Sequence, residues 1–211
     1  MDLKEVEKFA KSFFLDADTS HDWEHVERVL ALSLKIADKE NADKEVVAIS
    51  ALLHDIARKQ QDDSKGKICH AEKGAEIAKQ FLDTLNLEKS KKENIVHCIK
   101  THRFRGSNIP ETIEAKIIYD ADKLDSIGAV GIGRAFLFAG RFNHRLHDKN
   151  IDIEKTKEYS KDDTAYREFL VKLSKIKDKL LTRTGKEFAQ ERHVFMQDFF
   201  NRLNKEVDGE L

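Results

Sequence analysis

A helix face that packs into a protein core should be apolar, because an unpaired polar or charged group there is costly. His25, the adjacent His54-Asp55 pair, His70, His102 and Asp122 break that rule, each on or beside the inward stripe of a separate expected helix. One such histidine is ordinarily a hydrogen-bonded packing residue, and a set of unrelated polar core contacts is the bland alternative here. Five helices each directing a histidine or aspartate inward instead suggest a shared partner. A metal ion fits, since imidazole and carboxylate are common protein ligands. Nitrogen and oxygen donors without thiolate suit Mn, Fe, Co, Ni or Mg in six-coordination, with positions left for water or a phosphate oxygen. Water bound there becomes a usable nucleophile near neutral pH, and the ion neutralises charge developing on phosphate. The chemistry to expect is hydrolysis at phosphorus.

The elements that must carry these groups are helical. One proline and nine glycines leave little material for turns or short strands, and 40% hydrophobic with 36% charged residues is a globular balance. Ser20 or Asp22 can cap a helix running to about Asp38, with His25, Val29, Leu32 and Ile36 on one face. Further helices are expected over about Lys44 to Arg58, His70 to Leu85 and Lys89 to His102, and another from near Thr112. Arg105 to Pro110 reads as a loop. Gly128-Ala129-Val130-Gly131-Ile132-Gly133 lacks the dinucleotide-loop spacing and a preceding strand, so tight helix packing or a turn is the better use of its glycines. Gly140 to Thr164 reads as a long polar excursion of the kind that forms lids, and helices return over about Ala165 to Val207. Phe169, Leu173, Phe188, Phe195, Phe199 and Phe200 are available there for packing.

Two His-Asp pairs compete for the ligand role. His21-Asp22 opens a helix, where Asp22 is an ordinary first-turn carboxylate. His54-Asp55 follows Ala51-Leu52-Leu53 and precedes Ile56, so it lies deep in packed chain and is preferred. His97 lies about 160° from Ile99 at roughly 100° per residue, faces outward and is excluded.

At 211 residues the chain suits one well-filled core, read as a single domain over 1–211 with a core of about 10–140 and a helical extension of about 141–211. No apolar stretch is long enough for a membrane span, and Met1 to Phe14 lacks a secretory apolar run, so a cytoplasmic location is expected. A net charge of −1 carries no strong nucleic-acid signal. Lys155 to Lys186 holds ten basic and five acidic residues, a surplus that could draw in a phosphorylated substrate but more often marks a solvated helix face. Cys69 and Cys98 lack paired-cysteine spacing and read as reduced, buried thiols.

Three phrases narrow the reading: His21-Asp22-Trp23-Glu24-His25-Val26-Glu27-Arg28-Val29, Leu53-His54-Asp55-Ile56, and Asp120-Ala121-Asp122-Lys123-Leu124-Asp125-Ser126-Ile127-Gly128-Ala129. In order and content they resemble the HD superfamily of metal-dependent phosphohydrolases, most closely its small bacterial YpgQ/YedJ-like branch, over about residues 10 to 140. The resemblance implies an all-α, irregular helical bundle of the HD-domain type. It implies His25, His54, Asp55 and Asp122 as ligands of a divalent metal ion, Mn or else Mg, Co, Ni or Fe. It points to a nucleotide or another small phosphorylated substrate, with cleavage of a nucleoside triphosphate to monophosphate plus pyrophosphate preferred over 5′-phosphate removal. His70 and His102 stand where multi-metal branches carry extra histidines. Arg103 follows His102 and no Gly-Tyr-Pro triplet is present, which departs from the cyclic-dinucleotide phosphodiesterases. His70, His102 and His21 are therefore taken as substrate contacts, with a second metal site as the alternative for the first two.

A phosphate also needs cations, since a metal alone leaves its outer oxygens unpaired. Arg58, one turn beyond His54, and Lys123, beside Asp122, are the preferred pair, ahead of Lys59 and Arg134. His144 and His147 are weaker candidates on the polar excursion. Other readings stay open. A di-iron oxygenase would need His70 and His102 as ligands. A zinc peptidase would use His21 and His25, but Asp22 stands where that motif wants Glu. A nucleotide sensor would keep the site without turnover. Exposed phenylalanines would suit a homodimer contact.

Overall fold

The computed structural model describes residues 3–14, 23–103 and 108–211. His21, Ser20 and Asp22, together with part of the expected loop at 105–110, lie outside them. The described residues form α1 (Leu3–Lys11), α2 (Trp23–Glu40), α3 (Lys44–Leu53), α4 (Arg58–Asp63), α5 (His70–Asp83), α6 (Lys89–Thr101), α7 (Ile113–Leu124), α8 (Gly128–Arg141), α9 (Ala165–Val171), a 3-10 helix (Leu173–Lys179) and α10 (Arg183–Val207). No strand occurs among them, and the fold is all-α. Among the described residues no helix is long and apolar enough to cross a membrane.

The chain divides into two compact units, Met1–Asp122 with Leu181–Gly185, and Lys123–Leu180 with Lys186–Leu211. In the first, α3 is the centre and packs against α1, α2 and α6, while α5 packs on α4 and α6. Every residue of α3 from Val46 to Leu53 is buried, as a helix apolar on all sides requires. Asp43 starts it by accepting the Glu45 and Val46 amides at 2.9 and 3.2 Å. Buried Glu114 on α7 accepts the Asp43 amide and the Asn94 side chain at 3.0 Å each, which ties α3, α6 and α7 together.

The α3 helix is shorter than its sequence suggests. It stops at Leu53, and His54 to Ala57 turn tightly before α4, with the Arg58 amide donating to the Asp55 carbonyl at 2.9 Å. The phase that put Arg58 on the face of His54 assumed an unbroken helix, so that placement is corrected: Arg58 begins a new helix, its Nε 3.5 Å from Asp62 Oδ2.

In the second unit, Gly128 opens α8 with a φ of +76°, and a Cβ there would lie 2.9 Å from Arg192 Cγ. At Gly131 a Cβ would collide with the Ser126 carbonyl. Tight packing thus accounts for both glycines. Phe169 and Phe200 stack at 4.7 Å, with Tyr166 and Phe136 against Phe200. Phe195 is exposed, contrary to expectation, because α10 turns Ala189, His193, Met196 and Phe200 inward at helical spacing and leaves residue 195 off that stripe. In the basic stretch Lys155, Lys172 and Lys177 pair with neighbouring carboxylates, as a solvated face does, whereas Arg167 is buried and pairs with Asp163 at 2.8 Å.

Candidate metal centre

Helix ends, more than helix faces, present the histidines. The last carbonyls of a helix lack intrahelical donors. His54 is the C-cap of α3 and His102 the C-cap of α6. Each donates its Nδ1–H to the carbonyl three residues back, Ala51 at 2.8 Å and Ile99 at 2.6 Å. That bond fixes the neutral tautomer and leaves the lone pair on Nε2. His70 is the first residue of α5, and its Nδ1 lies 2.9 Å from Gln61 Oε1, which gives it the same tautomer. His25 enters from the first turn of α2, above the buried stripe Val26, Val29, Ser33 and Ile36.

The Nε2 atoms converge. Those of His25 and His54 are 3.3 Å apart, and those of His70 and His102 are 3.0 Å apart. Asp55 lies between the two pairs. Its Oδ1 is 3.0 Å from His70 Nε2 and 3.6 Å from His102 Nε2, while its Oδ2 is 3.8 Å from Nε2 of both His25 and His54. Asp122 brings Oδ1 to 3.5 Å from His25 Nε2. Two sets of three follow, each with donor atoms within 4.8 Å of one another: His25, His54 and Asp122, then Asp55, His70 and His102. All but Asp122 are buried.

Burial pushes the His54 imidazole down to about 4, against smaller opposing effects of nearby Asp55. Burial likewise lowers His70, opposed by its contact with Asp55. Both rings are therefore neutral near pH 7, the form that binds metal. With the Nδ1–H of His70 and of His102 each committed elsewhere, neutral rings there would set two Nε2 lone pairs 3.0 Å apart, an arrangement that a cation beside them relieves. The donor set fits a divalent ion.

The other candidates are placed as follows. Lys123, half-buried, is the residue after Asp122, and its carbonyl accepts the Ser126 amide and hydroxyl. Lys59 is exposed, and Arg134 pairs with Asp125 at 2.5 Å. His147 Nε2 meets Asn204 Oδ1 at 2.7 Å, and His144 lies against Phe142. His97 stays apart from the cluster and accepts the Glu111 amide at 3.0 Å. His21 lies outside the described residues.

Three residues that support the cluster or its helices were assigned no role from the sequence. Gln61 and Arg103 stand behind His70. Asp120, fully buried, accepts the Leu181 and Thr182 amides at 2.8 Å each and the Thr182 hydroxyl at 2.7 Å, which fixes the segment before α10 against the helix that carries Asp122. A Cβ at Gly185 would strike that carboxylate. The only sequence signal was the repeated aspartate at 120 and 122.

Known proteins share this organisation. The HD domain family model matches residues 22–127. YpgQ of Bacillus subtilis (strain 168) is 35% identical over 215 residues, 99% of this chain and 96% of that protein. The crystal structure of Bacillus subtilis YpgQ in complex with ADP matches with a TM-score of 0.76 at 33% identity, over 99% of both chains. An HD-superfamily hydrolase from Bacillus thuringiensis matches with a TM-score of 0.77 at 27% identity, over 98% of this chain and 96% of that one. With a fold shared from end to end and the family's domain spanning the histidine–aspartate cluster, the chain belongs to the HD domain family and is a hydrolase of that superfamily.

Proposed function

We propose that this hydrolase is a metal-dependent nucleotide phosphohydrolase whose ions are held by His25, His54, Asp55 and Asp122, with a second position at Asp55, His70 and His102. The observation that carries the reading is Asp55, which turns one oxygen to each histidine pair at 3.0 to 3.8 Å. A carboxylate so placed can serve both positions. This revises the role expected for His70 and His102: their Nε2 atoms face each other and Asp55, an arrangement suited to ligation more than to contact with a phosphate.

When bound, such ions supply Lewis acidity toward phosphorus and make a nearby water more acidic, Mn being the first choice among Mn, Mg, Co, Ni and Fe. The chain's own part is to orient His54, His70 and His102 through their Nδ1 contacts, keep five of six donor residues out of bulk water, and bring cations near the substrate. Arg58 and Lys123 fill that last role in this reading, each a few residues from a ligand carboxylate in sequence. A nucleotide substrate is supported by the ADP in the YpgQ structure. Cleavage of a triphosphate to monophosphate and pyrophosphate is the preferred reaction, ahead of 5′-phosphate removal. The paired clusters also meet the ligand requirement of a di-iron oxygenase, and membership of a hydrolase superfamily favours the phosphohydrolase.

A nucleotide panel tests this. Metal-stripped protein is re-supplied with each ion, and both phosphate and pyrophosphate release are followed. Metal-dependent pyrophosphate release is expected, and Asp122→Ala should lower it by more than about 100-fold, since even partners of ligands are worth 10- to 100-fold. Phosphate release alone would move the reading to a nucleotidase. No product from protein carrying its metal would leave a sensor or an oxygenase.

A further inference from the structure

Gln61, on α4, receives three donors at one atom. Its Oε1 lies 2.9 Å from His70 Nδ1, 2.8 Å from Arg103 Nη1 and 3.4 Å from the His70 amide. A glutamine side chain can present either its oxygen or its NH2, and the two ends have opposite consequences for a neighbouring imidazole. Oxygen toward Nδ1 requires a hydrogen there and, in the neutral ring, leaves the lone pair on Nε2. The NH2 group toward Nδ1 requires the reverse, and Nε2 then carries a hydrogen and cannot bind a metal.

His70 needs such help because Asp55 Oδ1, 3.0 Å from its Nε2, competes for the ring hydrogen, and because of where the residue sits. His54 and His102 cap helix C-termini, where free backbone carbonyls accept Nδ1–H and cannot turn over. His70 opens α5, and a helix N-terminus offers only donors. An acceptor must come from a side chain, and something must hold that side chain the right way round. Arginine donates and never accepts, so Arg103 can face only the oxygen of Gln61.

We propose that Arg103 and Gln61 are positioning residues that lock His70 in its Nδ1–H tautomer, Arg103 acting through the orientation of the Gln61 amide. The inference rests on the reading of Asp55, His70 and His102 as a metal position, but the tautomer itself is a property of the metal-free chain. Arg103 gives the position after His102, where the sequence departs from the phosphodiesterase pattern, a defined task. It touches no ligand atom of the cluster and sets one from behind.

The experiment uses full-length, metal-stripped protein labelled with 15N-histidine. Long-range proton–nitrogen NMR spectra at pH 7.5 read which nitrogen of His70 carries hydrogen, and a Mn titration followed by EPR reads the equivalents bound. The wild-type chain should show His70 as Nδ1–H. Gln61→Glu and Arg103→Lys, which keep acceptor and donor, should retain that signal. Gln61→Leu removes the acceptor, and Arg103→Glu reverses the amide by offering an acceptor in place of a donor. Both should populate the Nε2–H form and weaken the second Mn equivalent by about 10- to 100-fold while sparing the first. If Arg103→Glu fails to fold, Gln61→Leu with Gln61→Glu as its rescue decides. His70 found as Nδ1–H in Gln61→Leu and Arg103→Glu alike would overturn the proposal. A tautomer that switches in both variants while the wild-type chain binds a single Mn would uphold it and instead bring down the two-ion reading.

Discussion

Imidazoles at positions 54 and 102 share one device: each follows the last residue of its helix and returns Nδ1–H to a carbonyl three residues back. The hydrogen bond satisfies an orphan acceptor and aims the other nitrogen at the cluster, so packing and ligand geometry come from the same contact. At His54 burial then makes protonation costly. With the His54 imidazole pushed down to about 4 in the folded chain and near 6.5 when unfolded, the unfolded state binds the extra proton first as pH falls. Stability of metal-free protein should therefore decline from about pH 6.5, with the loss complete near pH 4, by about 3 kcal/mol from His54. His70 shifts the same way and adds to the decline. Urea unfolding across that range, for the wild type against His54→Gln, checks it: the variant should lose less stability on acidification, and parallel curves would contradict the assignment. That these histidines lie inward was legible, because polar residues interrupted an apolar period. Their place at helix ends was not, since periodicity does not mark where a buried helix stops.

Elements differ in how openly the sequence announces them. The starts at Lys44, His70 and Lys89 agree with expectation because the apolar period begins near each, and at Lys44 the Asp43 cap coincides with it. The end of α3 was hidden, because Ala51 to Ile56 are all compatible with a buried helix and the turn through His54 to Ala57 is imposed by tertiary contacts. The contact of Asp120 with Leu181 and Thr182 was hidden for a different reason, as it joins residues some sixty apart in sequence and local pattern carries no trace of it. Its energetic weight can be measured. Asp120→Ala strips the acceptor from two amides and a hydroxyl and should cost about 3 kcal/mol. Gly185→Ala, whose methyl would strike the same carboxylate, should cost about 1–3 kcal/mol. In the double variant that collision is gone, so the combined loss should fall short of the separate losses, and simple additivity in denaturant unfolding would contradict a shared contact.

At the scale of the whole molecule, composition gave the class. One proline, few glycines and a heavily charged surface admit little besides helices, and the described residues hold no strand. The histidine–aspartate set named a metal and the motif phrases named the family, yet neither disclosed that Asp55 stands between two histidine pairs. That arrangement depends on four helices and a turn meeting at one place, which no one-dimensional spacing encodes. The central claim is that these six residues form a cation centre with two positions, and a metal count tests it most directly. Stripped protein is equilibrated with excess Mn, freed of unbound ion and measured for Mn per chain, beside Asp55→Ala and a His70→Ala/His102→Ala variant. Two equivalents are expected in the wild type, one in the double histidine variant and fewer than one in Asp55→Ala. Equal Mn content in all three, or none in the wild type, would contradict the account.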